Sequence, residues 1–361
     1  MADTAAHLVD RVLPAIPYRQ WTLSFPRRLR FALARDGALL GDVMRIFLSK
    51  VFAWQRRRAR AEGIGDGHTG SVSFVQRFGG YLNLNVHVHA TVPDGVFVER
   101  DDGPPRFVEL APPTDGDIET LTRQIVVAVG KRLARRDQDA DTEDVPDALA
   151  HAQAASVQSV RSPTRDRGRQ RDHDTPRPTA RPTRCALLDG FSLHANVRTH
   201  ANDRLGLERL LRYGARPAFA HQRLRLTDDG RVHYRFRRPS PSGATYWVGS
   251  PVEFLSRLST LIPPRRQHTV RYHGVFAPNS KLRPLIVPRA PAAGDDTARD
   301  PAPPRALASS AADPMTRDTD SPLPAAARQA CWLDASIGLN SCAACSPSTS
   351  PNVRCVQAGC A

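Results

Sequence analysis

Two histidines separated by one hydrophobic residue are the first feature that could perform chemistry. They lie in the segment LNLNVHVHATV, which begins at Leu82 and alternates strictly between apolar and polar residues. This alternation predicts a β-strand that places His87 and His89 on the same side, roughly 6 to 7 Å apart at the backbone. Two imidazoles so placed could bind one metal ion, although the same pattern fits the polar face of an ordinary half-buried strand.

A third metal ligand would have to come from a neighbouring strand, and Gln76 is the candidate because it interrupts an apolar side that includes Phe74 and Phe78. An ordinary hydrogen bond to the backbone would explain a polar amide there equally well. Two imidazoles and one amide oxygen, with positions left open for water and phosphate, suit Mg²⁺ or Mn²⁺ better than a closed zinc site. Such an ion would polarise a scissile phosphate.

A tyrosine at the end of an amphipathic segment is the candidate nucleophile. The leucine spacing in NDRLGLERLLRYGARP predicts a helix that ends at Gly214, and Tyr213 lies off its apolar stripe. Three basic residues lie near it along the helix: Arg209, Arg212 and Arg216. Guanidinium groups around a phenol would stabilise its phenolate and could hold a phosphate. Alternatively, the tyrosine covers the apolar edge of the helix and the arginines face solvent.

A hairpin around the turn Asp228-Asp229-Gly230 is predicted to carry a basic face. Its alternation places leucine, valine and aromatic residues on one side, whereas the other side holds Arg223, Arg225, Arg231, His233, Arg235 and Arg237. A solvated face usually mixes charges of both signs, so this arrangement favours phosphate binding. We expect the hairpin to follow a DNA backbone rather than read bases.

The composition supports a nucleic-acid partner. The 361 residues carry a formal net charge of +15, and all but three of the 51 basic residues are arginines. Arginine grips phosphate in a bidentate way, although a GC-rich genome would produce the same bias. With no secretory signal and no apolar stretch long enough to cross a bilayer, we expect no membrane association and a cytoplasmic protein located at the bacterial nucleoid.

The order of predicted strands and helices indicates an α+β fold with a β-meander beside helices. We expect four regions. Residues 1–135 and 185–288 form the two parts of one catalytic core, residues 136–184 form a flexible basic linker, and residues 289–361 form a low-complexity, disordered tail. The tail contains Cys342-x-x-Cys345 with Cys355 and Cys360, which could be a zinc knuckle but fits a frameshifted or decayed end better.

Four segments, in this order, resemble the rolling-circle insertion-sequence transposases of the His-hydrophobe-His class. They are FVQRFGGYLNLNVHVHATVPDGVF, DGFSLHANV, LERLLRYGARP and RYHGVFAPNSKLRPLIVP. The resemblance implies an antiparallel-sheet nuclease core in which His87, His89 and Gln76 hold a divalent cation. It also implies that Tyr213 attacks DNA, forms a 5′-phosphotyrosyl bond and frees a 3′-hydroxyl, with no nucleotide cofactor.

Three departures from that family are visible. Many members carry a second tyrosine four residues from the first, but Arg209 and Pro217 occupy those positions, so the chain resembles the single-tyrosine relatives. Because the sequence reaches HLVDRVLPAIPYRQW at once, we expect the usual N-terminal cysteine-rich zinc-binding region to be missing, and the similarity fades after Pro288. Two hypotheses therefore stand: an enzyme that nicks and rejoins single-stranded DNA, and a catalytically inactive DNA-binding remnant of a truncated transposase. The order of the motifs disfavours conjugative relaxases, whose tyrosines lie near the N-terminus.

Overall fold

The computed structural model describes residues 2–139, 148–158, 182–240 and 242–288. The helices are α1 (Ala2–Arg11), α2 (Arg27–Arg35), α3 (Gly37–Ala61), α4 (Asp115–Asp139), α5 (Ala148–Gln158), α6 (Arg204–Gly214), α7 (Pro251–Ser259) and α8 (Arg283–Ile286). The strands are β1 (Tyr18–Ser24), β2 (Gly67–His68), β3 (Gly70–Phe78), β4 (Leu84–Pro93), β5 (Gly95–Arg100), β6 (Gly103–Glu109), β7 (Cys185–Leu188), β8 (Phe191–Thr199), β9 (Leu224–Leu226), β10 (Val232–Arg235), β11 (Tyr246–Gly249) and β12 (Val270–Gly274).

A six-stranded antiparallel sheet forms the centre of the molecule, with the strand order β12-β3-β4-β1-β8-β7. Strands from both sides of residues 140–181 contribute to it, so the two predicted parts of the core share one sheet. Two three-stranded antiparallel sheets accompany it, with the orders β11-β10-β9 and β2-β5-β6. The predicted α+β class with antiparallel sheets is confirmed.

Helices cover both faces of the central sheet. On one face, the apolar side chains of β4 and β1 pack against α2, α3 and α4, and Trp21 contacts Trp54 edge to face with ring centroids 5.7 Å apart. On the other face, α1 and α6 pack Leu8 and Leu211 against Phe74 of β3. The histidine strand is therefore buried on both sides, whereas its alternation alone suggested one solvated face.

Local signals explain where several elements begin. The side chain of Asp36 accepts a hydrogen bond from the backbone N–H of Leu39 at the start of α3, and Ser250 and Glu253 form a capping box at the start of α7. Asp189 and Gly190 both have positive φ and join β7 to β8 in a tight hairpin, which suits an Asp-Gly pair. The predicted helix that contains Tyr213 and ends at Gly214 corresponds to α6.

The structure differs from the sequence-based expectations at several elements. Helix α5 lies inside the segment predicted to be a flexible linker, and it packs because Ala150 and Val157 are buried. Sequence reasoning also missed α1, β6 and β11. The predictions for residues 289–361, including the tail cysteines, fall outside the described residues. No helix in the described part of the chain is long and apolar enough to span a membrane.

Candidate active site

The register of three neighbouring strands brings the polar side chains of the site together. In β4, His87 lies opposite Gln76 of β3 and Ser24 of β1, and His89 lies opposite Phe74 and Thr22. Directly opposite residues in an antiparallel pair share a face of the sheet. The candidate third ligand and both histidines therefore occupy the same face of the sheet.

Hydrogen bonds orient both imidazole rings. Nδ1 of His87 lies 2.9 Å from the carbonyl oxygen of Asn85, so Nδ1–H donates and Nε2 carries the lone pair. Nδ1 of His89 lies 3.1 Å from Oγ1 of Thr22. The ring centroids are 4.9 Å apart. This pattern, in which one ring nitrogen bonds to the protein and fixes the orientation of the other, is typical of metal-binding histidines.

Burial keeps both imidazoles neutral. It lowers the pKa of His87 from 6.5 to about 4 and lowers the pKa of His89 well below its usual value. The positive charge of Arg216 acts in the same direction on both rings, and a proton on His87 would lower the pKa of His89 further, whereas the hydrogen bond to Asn85 raises the pKa of His87. A neutral imidazole is the form that can bind a metal ion, so protonation does not block either ring at neutral pH.

The end of α6 places the candidate nucleophile against the histidines. The rings of Tyr213 and His89 meet edge to face with centroids 5.4 Å apart. This approach requires a glycine at the next position, because a Cβ on Gly214 would lie only 2.6 Å from the ring of Phe74. At the other end of the helix, the side chain of Asp203 accepts a hydrogen bond from the backbone N–H of Gly206.

Gln76 fixes the end of this helix. Its Nε2 donates to the carbonyl oxygens of Tyr213 at 2.7 Å and Gly214 at 2.9 Å, two groups without helical partners at a C-terminus. Its Oε1 accepts a hydrogen bond from Nε of Arg216 at 3.4 Å. The backbone hydrogen bond that the sequence left as an alternative to ligation is thus present, and the amide oxygen would have to give up its bond to Arg216 in order to bind a metal ion.

Cations approach Tyr213 from other positions than the sequence suggested. The guanidinium of Arg216 lies over the phenol ring, 4.4 Å from its centroid, but Arg212 pairs with Glu208 and Arg209 is exposed. The charges of Arg237 and Arg238 also act on the phenol, and Arg238 was missed by sequence reasoning. Burial outweighs these cations and raises the pKa of Tyr213, so the expected net stabilisation of the phenolate is wrong for this structure.

The predicted hairpin is formed by β9 and β10, with Gly230 at positive φ in the turn. As predicted, Val232 and Tyr234 are buried on one face, whereas Leu226, expected on that face too, is 70% exposed. On the basic side, Arg223 is half-buried, and the exposed arginines are Arg225, Arg231, Arg235 and Arg237. The third strand, β11, completes this small sheet.

Among the described residues, no three His, Cys, Asp or Glu side chains come together to hold a metal ion. The two histidines of this face therefore have no third ligand of these types in the described part of the chain. Behind the end of α6 lies a mostly apolar cavity of about 530 Å³, whose wall includes Gln76, Gly214 and Arg216.

Sequence reasoning missed two polar residues on the histidine face. Thr22 of β1 lies opposite both His89 and His194 of β8, so the three form one row across the sheet. Burial lowers the pKa of His194 to about 4, and a proton on His194 would lower the pKa of His89 further. The sequence did contain a signal for Thr22, because polar residues alternate with Trp21 and Leu23 in β1.

Residues 70–283 match the model of the family described as "Putative transposase", which covers more than half of the chain. The chain belongs to this transposase family, a class of proteins that bind and process DNA. Neither the search of curated proteins nor the search of solved structures found a match.

Proposed function

We propose that this transposase nicks and rejoins single-stranded DNA through a 5′-phosphotyrosine intermediate on Tyr213, in rolling-circle transposition. The observation that supports the proposal is the contact between Tyr213 and His89, in which the candidate nucleophile lies beside a pair of neutral, oriented imidazoles. A phenol oxygen that attacks phosphorus needs electrostatic stabilisation of the developing charge within a few ångströms.

The proposed step exchanges one phosphorus–oxygen ester bond for another. The Tyr213 oxygen forms a bond to phosphorus while the bond to the 3′ oxygen breaks, the phenol loses its proton, and the 3′ oxygen leaves as a hydroxyl after gaining one. The 3′-hydroxyl of another end reverses the step and releases Tyr213. The phosphodiester energy is conserved in the covalent link, so no nucleotide cofactor is required.

His87, His89 and Gln76 are the residues that would hold a divalent cation, Mg²⁺ or Mn²⁺. Both imidazoles are neutral and held by hydrogen bonds, and the amide oxygen of Gln76 lies on the same face. The cation would supply Lewis-acid polarisation of the scissile phosphate. Because burial raises the pKa of Tyr213, the phenol is protonated at neutral pH, and attack requires that this proton be removed.

Arginines would position the DNA strand. Arg216 lies over the Tyr213 ring, and the charges of Arg237 and Arg238 reach the phenol from the end of β10. Cations within reach of a nucleophile can bind the phosphate it attacks. We assign DNA backbone contacts to the basic residues of α6, of the small sheet and of the segments next to them: Arg209, Arg212, Arg216, Arg223, Arg225, Arg231, Arg235 and Arg237.

The decisive experiment incubates the full chain with a broad pool of single-stranded oligonucleotides and Mn²⁺ and then searches for a protein–DNA adduct that resists denaturation. The expected result is an adduct that requires the metal ion and is absent in Tyr213→Phe. Tyr246→Phe is the matched control, because it removes the hydroxyl of another tyrosine, and it should retain the adduct.

Absence of any adduct from folded protein would overturn the nuclease proposal. If DNA binding then remained sensitive to salt and indifferent to Tyr213→Phe and His87→Ala, the chain would be a DNA-binding remnant.

A further inference from the structure

The outer face of the small sheet combines aromatic and basic side chains. In the register of this sheet, Arg225 lies opposite His233, and Arg235 lies opposite Tyr246. Alternation therefore places these four side chains on the same face, away from Val232 and Tyr234. Tyr246 belongs to β11, the strand that sequence reasoning missed.

The two rings on this face are stacked. The ring centroids of His233 and Tyr246 are 4.4 Å apart with an interplanar angle of 32°. Tyr246 is 51% exposed, so its ring is not part of a core. The opposite face of the sheet supplies the packing, since Tyr234 and Trp247 contact Phe254 of α7 there. A rigid, supported and accessible aromatic ring is the feature on which an unpaired base can stack.

The charged side chains on this face are all positive. Arg225 and Arg235 are exposed, and within the part of the chain that the structure describes neither forms an ion pair with a carboxylate. Two cations beside an exposed aromatic ring complement a strand that presents phosphates and bases together. A duplex offers the phosphates but keeps the faces of its bases stacked on each other.

The position of the outer face relative to Tyr213 indicates which way a bound DNA strand would run. The chain leaves the end of β10 at Arg235 and reaches the exposed residues Arg237 and Arg238, which lie close enough to Tyr213 for their charges to act on its phenol. A DNA strand bound on the outer face can therefore follow β10 toward the candidate active site. It would meet Arg225 and Arg235 on the face, and Arg237 and Arg238 near Tyr213.

We infer that Tyr246, supported by His233, is a stacking platform for an unpaired base of single-stranded DNA, while Arg225 and Arg235 bind the neighbouring phosphates. This inference deepens the proposed nicking function and rests on it for its biological role. The platform itself is defined by its preference for unpaired bases over duplex DNA, and it acts before any bond is made or broken.

The test measures equilibrium binding without divalent ions, so that no cleavage is required. Fluorescence anisotropy would compare an oligothymidylate of about twelve nucleotides, an abasic strand of the same length and a duplex. We expect Tyr246→Ala to weaken binding of the thymidylate strand about tenfold and to leave the abasic strand and the duplex unchanged. Tyr246→Phe should bind as the wild type does, because it keeps the ring.

Leu226→Ala is the matched control, since Leu226 belongs to the other face of the same sheet and is 70% exposed. It should change none of the three affinities. The inference is overturned if Tyr246→Ala binds the thymidylate strand as tightly as the wild type, or if it weakens the abasic strand equally. These outcomes are independent of the adduct assay, because a protein without nicking activity can still show or lack the platform.

Discussion

The imidazole of His89 lies edge-on to the phenol of Tyr213, with ring centroids 5.4 Å apart, although β4 and α6 are far apart in the chain. The contact depends on the close approach of α6 to β3, where Gly214 meets Phe74, and on the capping of the helix end by Gln76. The contact should therefore be sensitive to substitutions at Gly214 and Gln76.

Gly214→Ala should reduce both stability and adduct formation. The added Cβ would lie 2.6 Å from the Phe74 ring, so the helix end must move away from the histidine face. We expect a loss of about 1 to 3 kcal/mol in the free energy of unfolding, measured by urea denaturation. Gly130→Ala is the control, because nothing lies within 4 Å of its added Cβ in α4. That change should stabilise the protein by about 0.5 to 1 kcal/mol. Equal stability of Gly214→Ala and the wild type would contradict the close approach.

Gln76→Leu should release the end of α6. The substitution leaves the carbonyl oxygens of Tyr213 and Gly214 without their side-chain donor, which costs about 1 to 3 kcal/mol when such groups are buried. Faster amide hydrogen exchange near residue 214 and a lower free energy of unfolding would show it. Gln222→Leu, at an exposed glutamine, should change neither quantity. Exchange rates that match the wild type would argue against the capping role.

Thr22 should act as a positioning residue for His89. Its hydroxyl lies 3.1 Å from Nδ1, and loss of such a partner of a metal-binding histidine lowers metal affinity by about 10- to 100-fold. Calorimetric titration with Mn²⁺ would test this in Thr22→Val, which keeps the shape of the side chain. Thr22→Ser keeps the hydroxyl and should restore most of the affinity. If the Val and Ser variants bind Mn²⁺ equally, the hydroxyl does not orient the ring.

Stability should fall as the pH is lowered into the acid range, because the folded protein holds the half-buried imidazole of His194 in its neutral form. Burial lowers the pKa of His194 from 6.5 to about 4, so the unfolded chain binds a proton between these values that the folded protein does not. The contribution is complete above about pH 6.5 and is lost as the pH falls toward 4.

Urea denaturation of the metal-free protein at about pH 7.5 and about pH 4.5 measures this loss, which should be up to about 3 kcal/mol for one such group. His194→Gln should show a smaller difference between the two pH values. His200→Gln, at an exposed position, is the control and should behave as the wild type does. A His194→Gln variant with the full pH dependence would exclude this origin.

The sequence by itself determined the features that depend on local periodicity. Alternation in LNLNVHVHATV predicted β4 and the shared side of His87 and His89, and leucine spacing predicted α6 with its end at Gly214. Helices and strands have fixed repeat lengths, so a pattern of apolar residues shows both the element and its buried side. The mixed α+β class followed from the same patterns.

Only the tertiary structure decided which elements meet. The register of β1 against β4 brought Thr22 to His89, and the packing of α6 on β3 brought Tyr213 to the same ring. The rise in the pKa of Tyr213 could not be read from its arginine neighbours, since burial depends on what α1 and α6 cover. Contacts between distant segments arise from burial of apolar faces that many partners could satisfy, and local sequence patterns do not specify the partner.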